Sequence, residues 1–150
     1  MAELQNRISQ QFPEATFEEG EILLINIADA QLHQLVKTLR DEHGFNYLVT
    51  IVGMDWKSSL GWVYYLANAE MSKFVSVKVQ TTDRDNPMIH SIADLYRIAV
   101  IFEREVYDFY GIVFVNNPDM RRLFLDIDWV GYPLRKDYDP EHKLNPCSIK

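Results

Sequence analysis

The sequence predicts an α+β fold, in which an antiparallel or mixed sheet carries helices packed on one face and an extended irregular arm follows at the C-terminus. Short β-rich runs with short gaps dominate the first half of the chain. A long apolar helical pattern comes next, and the 39 residues after Gly111 contain four prolines and little periodicity. Because so irregular a stretch does not form a domain by itself, we expect a single domain with a core over residues 1–118 and an arm over residues 119–150.

The composition is that of one ordinary globular domain, with 150 residues, 47% of them apolar and 25% charged. The net charge of -7 argues against nucleic acid or an anionic membrane surface as a direct partner. The single Cys147 leaves no disulfide framework and no thiolate-held metal cluster within the chain. No run of about 18 apolar residues and no signal-peptide pattern occurs, so we expect a protein that is neither secreted nor membrane-spanning.

At the N-terminus, apolar residues spaced four apart over residues 4–12 predict a short amphipathic helix that ends at Pro13. Residues 21–27 are β-rich and predict a strand. Asp29 is expected to cap the helix that follows, and Gly44 to end it. The apolar face of this second helix comprises Leu32, Leu35, Val36 and Leu39.

Three further strands are predicted over residues 47–52, 62–67 and 74–80. The short gaps between them favour an antiparallel meander. In the last of the three, valines alternate with polar residues, so we expect one face of that strand to be buried and the other to contact water. One face of the sheet is therefore expected to be covered by helices.

The longest helical pattern begins at Ser91 and ends at Gly111. Its apolar stripe comprises Ile92, Leu95, Tyr96, Ala99, Phe102, Val106 and Tyr110. Its polar face comprises Asp94, Arg97, Arg104 and Asp108. Because Ile98, Val100 and Ile101 add apolar surface on the flanks, we expect a helix buried on all sides, either at the centre of the fold or against another chain.

Glu103 interrupts the apolar stripe, since it falls between Ala99 and Val106. An ionised carboxylate there costs several kcal/mol unless a cation and hydrogen bonds meet it. Arg121 and Arg122 lie within reach of the chain, and a guanidinium can bind a carboxylate through two hydrogen bonds. We therefore expect a buried ion pair between Glu103 and one of these arginines, with a turn of Glu103 to the surface as the alternative.

The arm differs from the acidic body, because it carries six acidic and six basic residues from Asp119 onward. Its aromatic residues are Phe124, Trp129, Tyr132 and Tyr138. Aromatic and Arg side chains anchor protein interfaces, so the arm is typical of a docking segment, with an ordinary structured tail as the alternative.

Patterns typical of catalytic sites are missing from the sequence. The four histidines show no metal-ligand spacing, and the six glycines form no phosphate-binding loop. The serines lack a nucleophile-elbow motif. Asp55, Asp126 and Asp128 could act as paired acids only if the fold brings them together, which leaves a freestanding carboxylate hydrolase as one hypothesis.

Three sequence blocks in a fixed order resemble one family. They are EREVYDFYG over residues 103–111, PDMRR over residues 118–122 and GYPLRKD over residues 131–137. Together they resemble the C-type subunit of NADH:quinone oxidoreductase, the 30-kilodalton subunit family of respiratory complex I. Asp55 aligns with the family in the first half, whereas Asn117 stands where the family usually has His or Lys. The equivalent subunits of membrane-bound [NiFe] hydrogenases and formate hydrogenlyases share the first block.

The resemblance implies an α+β subunit of the hydrophilic arm of the complex, with no redox centre or catalytic residue of its own. It implies that iron-sulfur clusters, FMN and quinone lie in partner subunits, among them the D-type, 49-kilodalton subunit of the quinone site and the iron-sulfur subunits. The membrane would be reached only through the complex, at its cytoplasmic side. The hypotheses are therefore a structural subunit of NADH:quinone oxidoreductase, its counterpart in a hydrogenase-type complex, or the hydrolase.

The family's structural and partner-interface residues, carried over to the matching positions, are Glu103, Arg104, Glu105, Asp108, Gly111, Arg121, Arg122, Pro133, Arg135, Lys136 and Asp137. The first expectation from this set is an internal frame of ion pairs. The second is that Arg135 and Lys136 contact a second chain in the assembled complex.

Overall fold

The computed structural model describes residues 2–140. Cys147 and the last ten residues of the predicted arm lie outside the described residues. The elements in chain order are α1 (Ala2–Gln11), β1 (Thr16–Glu18), β2 (Leu23–Asn26), α2 (Asp29–Asp41), β3 (Tyr47–Asp55), β4 (Leu60–Asn68), β5 (Lys73–Thr81), β6 (Met88–His90), α3 (Ala99–Tyr110) and β7 (Val113–Val115).

The main sheet has five strands in the order β1-β2-β5-β4-β3. The predicted meander is confirmed, since β4 pairs antiparallel with both β3 and β5. The short strand β2 pairs parallel with β5, which makes the sheet mixed. A second, two-stranded parallel sheet joins β6 and β7, whose three-residue strands the sequence pattern did not predict. The predicted α+β class with a mixed sheet is confirmed.

One face of the main sheet forms the hydrophobic core with the helices. Trp62, Tyr64 and Val77 on this face are fully buried, and so is the predicted apolar face of α2. Tyr110 of α3 packs so closely over Gly53 of β3 that a Cβ atom there would lie 2.5 Å from its ring. The opposite face of the sheet carries exposed apolar side chains, as described below.

The long helix is shorter than the sequence pattern predicts. It begins at Ala99 rather than at Ser91, and residues 91–98 form hydrogen-bonded turns. The reason is that the Glu103 carboxylate accepts hydrogen bonds from the Ser91 hydroxyl and from the Ile92 N–H, which holds this segment outside the helix. The alternative of a helix at the centre of the fold is wrong, because Ile98 and Ile101 are exposed in this chain, whereas burial against another chain stays a prediction.

The ends of α2 differ from the prediction in detail. Ala28 occupies the N-cap position, and Asp29 is the first helical residue. The Asp29 carboxylate instead accepts a hydrogen bond from the N–H of His90 and contacts its imidazole at 2.7 Å, so it joins α2 to β6. The helix ends at Asp41, ahead of the turn in which Gly44 has φ of +71°.

Candidate functional site

The arm, defined here as residues 119–140, contains no α-helix or β-strand and lies against α3 and the end of β3. Its position is fixed by charged side chains rather than by an apolar core. Two groups of contacts hold it, which we call the α3 clamp and the β3 clamp after the elements that supply the buried aspartates.

The α3 clamp is centred on Asp108, whose side chain is fully buried. One carboxylate oxygen accepts hydrogen bonds from the N–H groups of Leu123, Phe124 and Leu125 at 2.6–3.1 Å. The other oxygen contacts Arg122 at 3.1 Å. Desolvation raises the pKa of Asp108, but these backbone and guanidinium hydrogen bonds outweigh it, so the pKa lies below its ordinary value. The carboxylate is therefore held ionised inside the protein.

Arg122 extends the α3 clamp along the arm. Its guanidinium donates to the carbonyl oxygens of Asp108, Trp129 and Gly131 at 2.7–3.0 Å. The group also lies 5.0 Å from the Tyr132 ring and 5.9 Å from the Tyr107 ring, within the range of cation–π attraction. One arginine thus fixes the arm at several points.

Arg104 completes the α3 clamp at the start of the arm. Its guanidinium donates to the carbonyl oxygens of Arg121 and Arg122 and contacts the Asp119 carboxylate at 2.9 Å. Arg104 and Asp108 are both buried, although the helical pattern places them on a polar face. That face is polar because it receives the arm, which the periodicity of one helix does not reveal.

The β3 clamp is centred on Asp55, the last residue of β3. Arg84 binds both oxygens of its buried carboxylate at 2.8–2.9 Å, and the Lys136 N–H donates to it at 2.9 Å. Arg84 also contacts Asp137 at 2.8 Å. The Arg84 guanidinium, together with the backbone N–H groups of Lys136 and Lys57, holds the pKa of Asp55 well below its ordinary value despite desolvation. This clamp therefore joins the sheet, the loop after β5 and the arm.

The side chain of Arg135 points from the arm toward α3 and the loop after β5. It donates to the carbonyl oxygens of Tyr110 and Arg84 at 2.6 and 2.9 Å, and it lies 4.9 Å from the Tyr132 ring. Desolvation by burial lowers its pKa from the ordinary value. Its guanidinium is thus engaged within this chain, while Lys136 is exposed, and the expected contact of both residues with a second chain stays a prediction.

Glu103 is fully buried, as the sequence predicts, but the predicted arginine partner is wrong. Its carboxylate accepts hydrogen bonds from Ser91, Ile92 and the Asn117 amide at 2.6–2.9 Å. Burial raises its pKa, and these hydrogen bonds only partly oppose that effect. Arg122 instead binds Asp108, because the turn at residues 116–118 directs the chain back along α3.

The other predicted residues have simpler places. Gly111 ends α3 with φ of +71°, and a Cβ atom there would collide with the Tyr132 ring. Arg121 is 72% exposed and contacts Asp119 at 2.6 Å. Glu105 is also exposed, and Pro133 is partly buried in the arm.

The carboxylates proposed for a hydrolase do not form a shared site. Asp55 is buried in the β3 clamp, while Asp126 and Asp128 are exposed on the arm. Among residues 2–140, no group of three or more metal-ligating side chains is arranged to hold a metal ion. The three carboxylates therefore do not meet in the described part of the chain, and Asp55 instead binds backbone and side-chain donors that fix the arm.

The arm exposes several large apolar side chains. Four residues spaced three or four apart along it form what we call the outer ridge: Phe124, Ile127, Val130 and Leu134. Ile127 is 95% exposed. The rings of Phe124 and Phe109 stack at 5.8 Å, which joins the ridge to α3. The arm thus binds several polar groups inward, while these four apolar side chains are exposed beside charged residues such as Asp126 and Asp128.

Sequence reasoning missed Arg84, Asp119 and the role of Asn117 in these contacts. Arg84 lies in the polar loop TTDRDNP, which has no periodicity to mark it. Asp119 belongs to the second family block, and that position was the available signal. Asn117 was noted only as a departure from the family pattern, yet it supplies a neutral donor to the buried Glu103.

Helices able to cross a bilayer, judged by length and apolar character, are not found among residues 2–140. The fold is similar to a chain in the structure of the membrane-bound sulfane sulfur reductase, an archaeal respiratory membrane complex. The TM-score is 0.74 at 24% sequence identity, over 93% of this chain and 85% of that chain. This likeness concerns the fold alone.

The sequence itself is similar to named bacterial proteins. The C/D subunit of NADH-quinone oxidoreductase from Bacteroides thetaiotaomicron is 46% identical over 134 residues, which is 82% of this chain. The C-type subunit of NADH-quinone oxidoreductase from Cupriavidus pinatubonensis is 37% identical over 89% of this chain and 76% of that protein. The chain spans only 25% of the length of the Bacteroides C/D protein.

The family model described as "Respiratory-chain NADH dehydrogenase, 30 Kd subunit" matches residues 25–143. This match contains β3, α3 and the described arm, and therefore both clamps. The resemblance drawn from the three sequence blocks is thereby confirmed. The chain belongs to the 30-kilodalton subunit family of respiratory-chain NADH dehydrogenase.

Proposed function

We propose that this chain is the structural C-type subunit of a proton-translocating NADH:quinone oxidoreductase, in which it holds neighbouring subunits at fixed positions. Electron transfer between redox centres requires fixed distances and exclusion of water, so a rigid protein without a redox centre of its own can still contribute. The names of the relatives support NADH as the electron donor over the hydrogenase-type alternative.

The observation that carries this proposal is that the arm is held by buried polar contacts while large apolar side chains on it are exposed. The Arg122 guanidinium and several backbone N–H groups of the arm are bound inward by the two clamps, while the outer ridge presents apolar side chains to solvent. A group of exposed large apolar side chains on a rigid support is typical of a protein interface. The clamps use buried charge to position this ridge, which a solvent-facing tail would not require.

The D-type subunit is the partner that we propose for the outer ridge. The name of the Bacteroides thetaiotaomicron relative supports this choice, because its C/D designation describes one polypeptide that combines the two subunits. The iron-sulfur subunits of the hydrophilic arm are the further partners. Iron-sulfur clusters, FMN and quinone then lie in those subunits, and the chain reaches the cytoplasmic side of the membrane only as part of the complex.

Co-purification tests this proposal. A tagged full-length chain, isolated at low detergent from cells that contain the complex, is expected to bring down the D-type and iron-sulfur subunits together with their iron. The same chain expressed alone is the control, and we expect it to contain neither iron nor flavin. Redox turnover or a bound cofactor in the chain by itself would contradict the proposal, and so would failure to recover a D-type subunit.

A further inference from the structure

The two edges of the main sheet differ in how they are protected from other strands. At one edge, β1 has only three residues and ends at the acidic Glu18, which is followed by Glu19. At the other edge, β3 has nine residues, YLVTIVGMD, with no proline and no charged side chain before Asp55. Natural edge strands are normally short or carry Lys, Pro or other charges that prevent pairing with another chain. Over residues 50–54, β3 therefore lacks protection by charge, by proline or by short length.

The backbone of β3 offers hydrogen bonds on its free side. All ladder pairing of this strand is with β4, and no other backbone hydrogen bond within residues 2–140 involves the groups of residues 47–54. One irregularity, between Leu48 and Thr50, lies near its start, and the remainder of the strand runs regularly to Asp55. An unpaired row of N–H and C=O groups of this kind is a template for an added strand.

The side chains along this edge are also apolar. Val52 and Met54 alternate on the outer face of β3 and are 42% and 38% exposed. Tyr47 lies on the same face of the sheet as Val52 and Met54. It is in register, through β4, with the exposed Phe74 of β5. A strand added beside β3 would cover Val52 and Met54 with alternate side chains of its own.

The free edge is continuous with the arm. Tyr110 packs over Gly53 of β3, and the carbonyl oxygen of its neighbour Phe109 accepts a hydrogen bond from the N–H of Leu134, a member of the outer ridge. At the end of β3, Asp55 is bound by the N–H of Lys136 in the arm. A partner that lies on the outer ridge is therefore close to the edge of β3 as well.

We propose that β3 receives a sixth strand from the same partner that binds the outer ridge, an extended segment of the D-type subunit. This inference rests on the proposed function and adds the mode of binding. The segment is uncharged opposite residues 50–54, carries apolar side chains at alternate positions and forms main-chain hydrogen bonds with β3. Backbone pairing gives it affinity, and the contacts with Val52 and Met54 fix its register.

Hydrogen exchange read by NMR tests the added strand residue by residue. In the isolated chain, alternate amides of β3 that point to the free edge should exchange rapidly, while those paired with β4 are protected. In the purified complex the free-edge amides should slow by roughly 100-fold or more. If they exchange as fast in the complex as in the isolated chain, the partner does not add a strand. Protection in the isolated chain that depends on its concentration would also overturn the proposal, because a second copy would then occupy the edge.

A matched pair of variants separates this inference from the proposed function. Met54→Lys introduces on β3 a lysine, a residue that commonly prevents edge strands from pairing. Met71→Lys makes the same change at a 62% exposed methionine in the turn between β4 and β5. We expect Met54→Lys to weaken binding of the D-type subunit by roughly tenfold or more and Met71→Lys to leave it unchanged, with equal unfolding midpoints. If both variants bind like the wild type, the strand is wrong but the family role stands. If the wild type itself fails to bind, the proposed function has failed.

Discussion

The sheet domain and the arm are held in place by opposite kinds of contact. In the sheet domain, fully buried apolar residues such as Trp62, Leu32 and Val77 form a conventional core. Where the arm meets α3, the ionised Arg122 of the arm and Asp108 of α3 lie inside, and apolar residues of the arm such as Ile127 lie outside. Burial of apolar surface is non-directional and stabilises any well-packed arrangement, whereas a buried ion bound by many donors fixes one arrangement. The contacts of the arm therefore serve its position more than its stability.

Among the substitutions in the contacts of the arm, Asp108→Ala is expected to lower the free energy of unfolding most. The substitution leaves three backbone N–H groups and the Arg122 guanidinium without their buried acceptor. Breaking a buried ion pair from one side costs about 3–5 kcal/mol. Denaturant unfolding measures this loss, with Glu105→Ala on the exposed side of the same helix as the control. If both variants unfold at the wild-type midpoint, the α3 clamp does not hold the arm.

Acidification is expected to release the arm before it unfolds the sheet domain. Asp55 and Asp108 have lowered pKa values, so their contribution is complete above the unfolded pKa of about 3.9 and is lost as the pH falls through the folded values. The raised pKa of Glu103 has the opposite sign, because protonation on acidification relieves the cost of its burial. As the pH falls from about 3.9 through these folded pKa values, NMR should therefore show progressive loss of the Phe124 amide signal while that of Val77 persists. Simultaneous loss of both signals would show that the arm and the domain are one cooperative unit.

Gly111→Ala tests a smaller, steric contribution to the position of the arm. The residue has φ of +71°, and the new methyl group would collide with the Tyr132 ring. The left-handed conformation alone costs a non-glycine residue about 1–2 kcal/mol. Gly20→Ala is the matched control, because its Cβ atom would meet only an ordinary contact of 3.7 Å. Equal unfolding midpoints for the two variants would mean that the turn after α3 relaxes without cost.

Arg121→Ala is expected to change the stability of the protein least. This arginine was predicted as a buried partner of Glu103, but it is 72% exposed and pairs at the surface with Asp119. Exposed ion pairs contribute little to stability. Thermal unfolding of this variant should coincide with that of the wild type, whereas Arg122→Ala should unfold at a lower temperature. A large shift in the unfolding temperature of Arg121→Ala would show that its pair with Asp119 contributes to holding the arm.

The sequence was sufficient to predict the elements that have a strong period. The apolar face of α2, the three-stranded meander and the end of α3 at Gly111 all follow from alternation or helical spacing. The three-residue strands β1, β6 and β7 were missed because such short segments have no measurable period. The helix start at Ser91 was wrong because a tertiary contact with Glu103 overrides the local pattern.

The site was predicted less completely, for a physical reason. Helical periodicity shows that Asp108 and Arg104 share a polar face, but not that another segment covers this face. The burial of Glu103 followed from its place on the apolar stripe, yet its partner depends on the direction of the chain after Asn117. Charge pairing across distant segments, such as that of Arg84 with Asp55, leaves no pattern in a single sequence.

In this account the two clamps hold the arm against the rest of the chain, and the outer ridge binds the partner subunit. One double substitution tests this division of roles directly. Ile127→Asp combined with Val130→Asp alters only exposed positions of the ridge. We expect this variant to unfold at the wild-type midpoint yet to lose the D-type subunit in co-purification, while Met71→Asp retains it. Recovery of the D-type subunit at the wild-type level with the ridge variant would contradict the outward role of the ridge.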